Sequence, residues 1–241
     1  MSHRTWVILS KEFREYRRNK LIVGTMAGLP LLFLVITLVP LLTIPAELAD
    51  RAAGALAAQA LLLFLLIPVV LPTTIAAYSV IGEREQGTLE PLLTTPATDR
   101  EILMAKAIAA TAPGIVLTWI LFGVFATILA AFAQPSIFRA TVKAETFVAV
   151  GALSPALGVL AIELSLMVSS RSSDIRVAQQ LSALSVLPAV AITSLFAYGI
   201  IDPSPGRYLL VAIAIAGVDA ALWSVVTRLF DRERVLTRYG G

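Results

Sequence analysis

Cysteine is absent from this 241-residue chain, and histidine occurs once, as His3. Disulfides, thiolate metal centres and histidine-based metal sites are therefore excluded. Charge is scarce as well. Asp, Glu, Lys and Arg make up 15% of the residues, against about 25% in a typical soluble domain. A chain this poor in charge and 58% apolar suits a solvent in which charge is expensive, the lipid bilayer.

A spanning helix needs about 20 mostly apolar residues. Six stretches qualify, over residues 21–44, 55–81, 107–133, 146–169, 179–201 and 207–230. The expected fold is an all-α membrane protein with six transmembrane helices over 21–230 and no sizeable soluble domain. The first stretch follows a charged lead of twenty residues and has no small-residue cleavage pattern, so it reads as a span and not as a removable signal.

Fifteen of the 19 Lys and Arg fall in the N-terminal lead, the 82–106 loop, the segment after span four and the C-terminal tail. The remaining four, Arg51, Arg139, Lys143 and Arg207, fall on the opposite side. The positive-inside rule then places both termini and residues 82–106 in the cytoplasm. The basic balance reads as membrane topology and not as nucleic-acid binding.

Residues 1–20 are expected to form an amphipathic interfacial helix. Trp6, Leu9, Phe13 and Tyr16 recur at spacings of three or four, while Lys11, Arg14, Glu15 and Arg18 fall largely elsewhere. Lys11 and Glu15 are spaced to pair. Residues 231–241 form a short cytoplasmic tail.

The 82–106 segment contains "GEREQGTLEPLL", with Gly82, Gly87 and Thr88 at nearly the spacing of a phosphate-binding loop. Such a loop needs a strand before it and a lysine after the second glycine. Here an apolar span precedes it, Thr88 replaces the lysine, and Glu83, Glu85 and Glu90 would repel a nucleotide. Pro96 breaks the segment. Thr98 and Glu101 are then spaced as a capping box that starts the next helix. The reading is helix, break, helix.

"GEREQGTLEPLLTTPATDREILMAKAIA" resembles the cytoplasmic signature of ABC type-2 permeases. "KEFREYRRNK" and "SSRSSDIRVAQQLSALSVLP" resemble that family's basic lead and the segment joining its fourth and fifth spans. The resemblance implies a membrane-spanning permease subunit of an ATP-binding cassette transporter, of exporter type, in the inner (cytoplasmic) membrane. It implies no catalytic site and no cofactor in this chain. ATP and magnesium would be held by a separate ABC ATPase present in two copies. A second six-span subunit, expected to be a copy of this chain, would complete the pathway. Glu83, Glu85, Gly87, Thr88, Leu89, Glu90, Pro96, Arg100 and Glu101 would form the ATPase-coupling region.

Two acids lie inside spans. Glu163 falls about 9 Å and Asp219 about 16 Å from the cytoplasmic ends of their stretches, at the α-helical rise. An ionised carboxylate in lipid costs several kcal/mol, so each must face a cavity, find donors or be neutral. Both are candidates for the substrate pathway. The difference in depth argues against a direct pair unless a helix is tilted or broken. Prolines recur in five spans, at 30, 40, 68, 72, 113, 155 and 188, as packing kinks or hinges. Gly151 and Gly158 suit close helix approach. The alternatives are a stand-alone secondary transporter or channel using Asp219 and Glu163, for which no internal repeat is evident, and an intramembrane enzyme, for which no base or metal-ligand cluster is visible.

Overall fold

A computed structural model describes residues 2–79, 97–171 and 175–229. The elements in order are α1 (His3–Arg18), α2 (Lys20–Thr43), α3 (Ala46–Ser79), α4 (Asp99–Phe132), α5 (Pro135–Thr141), α6 (Ala144–Val148), a π-helical turn (Ala149–Leu153), α7 (Ser154–Arg171), α8 (Ile175–Ala183), a 3₁₀ turn (Leu184–Val186), α9 (Leu187–Ala197) and α10 (Pro205–Leu229). No strand occurs among the described residues. Six helical stretches are long and apolar enough to cross a membrane: Met26–Thr43, Ala46–Thr73, Arg100–Phe132, Ala144–Val168, Gln180–Ala197 and Pro205–Arg228. The expected all-α, six-span fold is the fold observed.

α3 is the central post, packed against α2, α4, α5, α7, α8 and α9. Phe64 on α3 meets Phe122 and Phe125 of α4 at 5.6 and 4.9 Å between ring centroids, filling the layer where these two long helices cross. Each has 34 residues, about 51 Å at the helical rise, and so outreaches a hydrocarbon core of about 30 Å. The outer faces of the spans carry large apolar residues such as Leu32, Val35, Ile120 and Leu210, which is the surface lipid covers.

Pro68 and Pro72 are accommodated by identifiable partners. Pro72 has no N–H to give the carbonyl of Pro68, four residues back in α3. That carbonyl is instead laid against Gly158 of α7, where an added Cβ would come within 2.8 Å of it. Pro68 also presses on Gly114 of α4, whose added Cβ would be 3.3 Å from the Pro68 Cα. Gly158 therefore serves close approach within one chain, whereas Gly151 has open space where a Cβ would stand.

The π turn has a similar cause. In its i→i+5 register Ser154 donates to Ala149, and the residue facing the Val150 carbonyl would be Pro155, which has no N–H. Val150 instead accepts from the Trp119 indole at 3.1 Å and from the Ser154 hydroxyl at 2.8 Å. Span five was expected to be continuous over 179–201. It is divided at the 3₁₀ turn just before Pro188 and ends at Ala197, after which Gly199 adopts φ +70° to close the helix. Span three starts at Asp99, as the Thr98–Glu101 capping box led one to expect, eight residues before its apolar stretch. At the end of the bundle remote from α1, the Gln134 amide donates to the Ile44 carbonyl at 2.9 Å, tying two inter-span turns together.

Candidate functional site

The site has two parts, one at each end of the first half of α4. The lower part is where α1 docks. Its buried face is Thr5, Ile8, Leu9, Glu12 and Tyr16, which packs against Ala97, Ile102, Leu103 and Ala105 at the start of α4. Of the aromatic stripe, Leu9 and Tyr16 are buried on this face and Phe13 packs against it, while Trp6 is 59% exposed. The predicted Lys11–Glu15 pair is present at 3.2 Å.

That acid, Glu12, receives a hydrogen bond from Lys106 at 3.0 Å, with the two side chains 4% and 1% exposed. The pairing was not foreseen: Glu12 was hidden among charged neighbours, and Lys106 counted as a loop residue when it lies inside α4. Residues 94 apart in sequence are thus locked together where α1 meets the third span.

The capping box at the head of α4 is complete. Thr98 accepts from the Glu101 N–H at 3.3 Å, and Glu101 accepts from the Thr98 N–H at 2.9 Å. The other Glu101 oxygen accepts from the Ser2 hydroxyl at 2.6 Å, and Ser2 also caps α1. The Thr98, Glu101 and Ser2 groups join the starts of α1 and α4. Arg100 is exposed in the same first turn. Glu83, Glu85, Gly87, Thr88, Leu89, Glu90 and Pro96 lie outside the described residues.

The upper part is a cavity of about 620 Å³ between α4, α7 and α10. α4 offers it one face, Met104, Ala107, Ile108, Thr111, Ala112 and Ile115, at spacings of three, one, three, one and three. Glu163 with Val159 and Ile162 comes from α7, and Asp219 with Ala220 and Trp223 from α10. The two span acids therefore line the same space.

Glu163 is 2% exposed, Asp219 7% and Thr111 5%. Glu163 Oε2, Asp219 Oδ1 and Thr111 Oγ1 have no hydrogen-bond partner among the described residues. The alternative expected from sequence, carboxyls settled on a neighbouring backbone or hydroxyl, does not describe these oxygens. Thr111 was not singled out in the sequence. It belongs to the site because the α4 register places it on the cavity face.

A bundle of six apolar helices with an amphipathic helix strapped beneath it and polar groups converging on a partly open cavity is the build of a polytopic membrane protein. The profile of the ABC-2 family transporter proteins matches residues 6–216, and the chain belongs to that family. It is a transmembrane permease of the ABC transporter class. Family membership implies association with an ABC ATPase subunit. No curated protein matches the chain.

Proposed function

We propose that this chain is the permease half of an exporter in the cytoplasmic membrane, paired with a second copy of itself and driven by two copies of a separate ATPase that hold ATP and magnesium. The observation that carries the reading is the family match over 6–216. The concentration of basic residues around the end bearing α1 and the start of α4 supports that end as cytoplasmic.

In this reading the 82–106 segment meets the ATPase, with Glu83, Glu85, Gly87, Thr88, Leu89, Glu90, Pro96, Arg100 and Glu101 shaping the contact. α4 carries the motion onward. Its head is joined to α1 through Ser2–Glu101 and Glu12–Lys106, so α1 and the third span move as one lever. The same helix lines the cavity from Met104, beside Lys106, to Ile115. Nucleotide-driven closure of the ATPases would tilt that lever and shift the bundle between inward-open and outward-open states, a two-state change biased by ATP. The cavity with Glu163 and Asp219 belongs to the substrate pathway.

Charge reversal at both Glu83 and Glu90 is expected to weaken co-purification with the ATPase while the six-span chain still inserts. Undiminished co-purification would remove those residues from the interface. The acid pair in a cavity is also what a stand-alone cation-coupled carrier would use; solute flux independent of any ATPase would favour that second reading.

A further inference from the structure

The oxygens lining the α4–α7–α10 cavity have a composition that selects a ligand. Three buried side chains on three different helices, Thr111, Glu163 and Asp219, each present one oxygen lacking a donor. Two of the three are carboxylates, and no Lys or Arg lines the cavity among the described residues. The nearest basic side chain along α4, Lys106, is engaged by Glu12 on the α1 side. Every other lining residue is apolar, with Trp223 offering an aromatic surface beside Asp219.

We infer that this cavity binds a lipophilic primary ammonium ion, its charged head among Glu163, Asp219 and Thr111 and its apolar body along the α4 face and Trp223. A primary ammonium has three N–H donors, matching in number the three oxygens that lack one. Its positive charge relieves the juxtaposition of two acids in a low-dielectric space, and the indole adds attraction for a cation. A divalent metal fits poorly. Calcium and magnesium take six or more oxygens, the cavity side chains offer two carboxyls and one hydroxyl, and no group of three His, Cys, Asp or Glu suited to a metal occurs among the described residues. The volume of about 620 Å³ is that of a pocket for a drug-sized molecule. That the ammonium is the transported cargo rests on the permease reading; that the cavity binds it does not.

The test is equilibrium binding of tritiated 2-(2-naphthyl)ethylamine to the full chain in lipid nanodiscs, with empty nanodiscs as background. Naphthalene-2-ethanol, equal in shape and uncharged, serves as the competitor. Saturable binding is expected that the alcohol does not displace and that E163Q/D219N weakens at least about tenfold, as loss of a buried charge partner does. Should the double variant misfold, Ile108→Trp, which keeps both acids and puts an indole on the α4 face that the amine's apolar body would occupy, must weaken binding. No saturable binding, equal displacement by the alcohol, or full binding by E163Q/D219N or by a folded Ile108→Trp would overturn the inference. These outcomes require no ATPase. A chain that binds the amine but recruits no ATPase contradicts the permease reading alone, and a chain that recruits the ATPase without binding the amine contradicts this inference alone.

Discussion

Glu12 and Glu163 are both carboxylates buried beside α4, and their surroundings are opposite. Glu12 is held by Lys106 at 3.0 Å, in a layer closed by Ile8, Leu9, Ile102 and Leu103. Glu163 shares its cavity with a second acid, and one of its oxygens has no partner among the described residues. A buried charge that is paired and packed has its partner supplied by the fold. A buried acid that shares a cavity with another acid leaves its partner to be supplied from outside. The first arrangement fastens one helix to another, and the second makes a place for a ligand.

The largest effect should come from breaking the paired side. Glu12→Ala leaves Lys106 buried without its carboxylate, and such a loss costs about 3–5 kcal/mol. A large drop in the thermal midpoint of the purified chain is expected, with much of it recovered in Glu12→Gln/Lys106→Met, where both charges are gone. An unchanged midpoint for Glu12→Ala would show that the pair fastens nothing.

Next in size is Gly158→Ala, whose methyl would meet the Pro68 carbonyl at 2.8 Å. Overpacking against backbone costs about 1–3 kcal/mol. Gly151→Ala, with open space at that position, is the matched control and should be neutral in the same melting assay. Equal losses would mean that the α3–α7 approach is not what limits position 158.

Thr98→Ala removes one half of the capping box at the head of α4. Loss of such a cap costs about 1 kcal/mol, so a modest fall in midpoint is expected, with faster amide exchange over residues 99–102 in hydrogen-exchange measurements. Protection equal to wild type would show that Ser2 and tertiary packing hold the helix start without the cap.

The smallest effect on stability sharpens the comparison most. Glu163→Gln/Asp219→Asn removes two acids that the described residues leave incompletely satisfied. Its midpoint should equal or exceed that of the wild type, while ligand binding falls. A loss as large as that of Glu12→Ala would erase the distinction between the two regions.

The sequence was most informative where a local rule governs. Scarcity of charge and six apolar runs were enough for the span count, and Thr98 with Glu101 was enough for the α4 cap. The departures arise where tertiary contact overrides local pattern. Nothing in the local pattern of α1 marks Glu12 among its charged neighbours, yet it meets Lys106, 94 residues away. Span five is divided near Pro188, whose effect depends on what surrounds it. The shared cavity of Glu163 and Asp219 could not be read from positions 56 apart on helices of unstated tilt. Thr111 carried no sequence signal, being one of several threonines in apolar spans. The glycine and glutamate run at 82–90 lies outside the described residues.

The central claim is that this permease works only with a separate ATPase, and the most direct test is ATP hydrolysis in liposomes. The chain would be reconstituted alone and then as a co-expressed complex with an ABC ATPase from the same genome. The account predicts no hydrolysis by the chain alone and a stable, ATP-hydrolysing complex. Failure of the chain to join any such ATPase, together with solute flux in the absence of ATP, would contradict it.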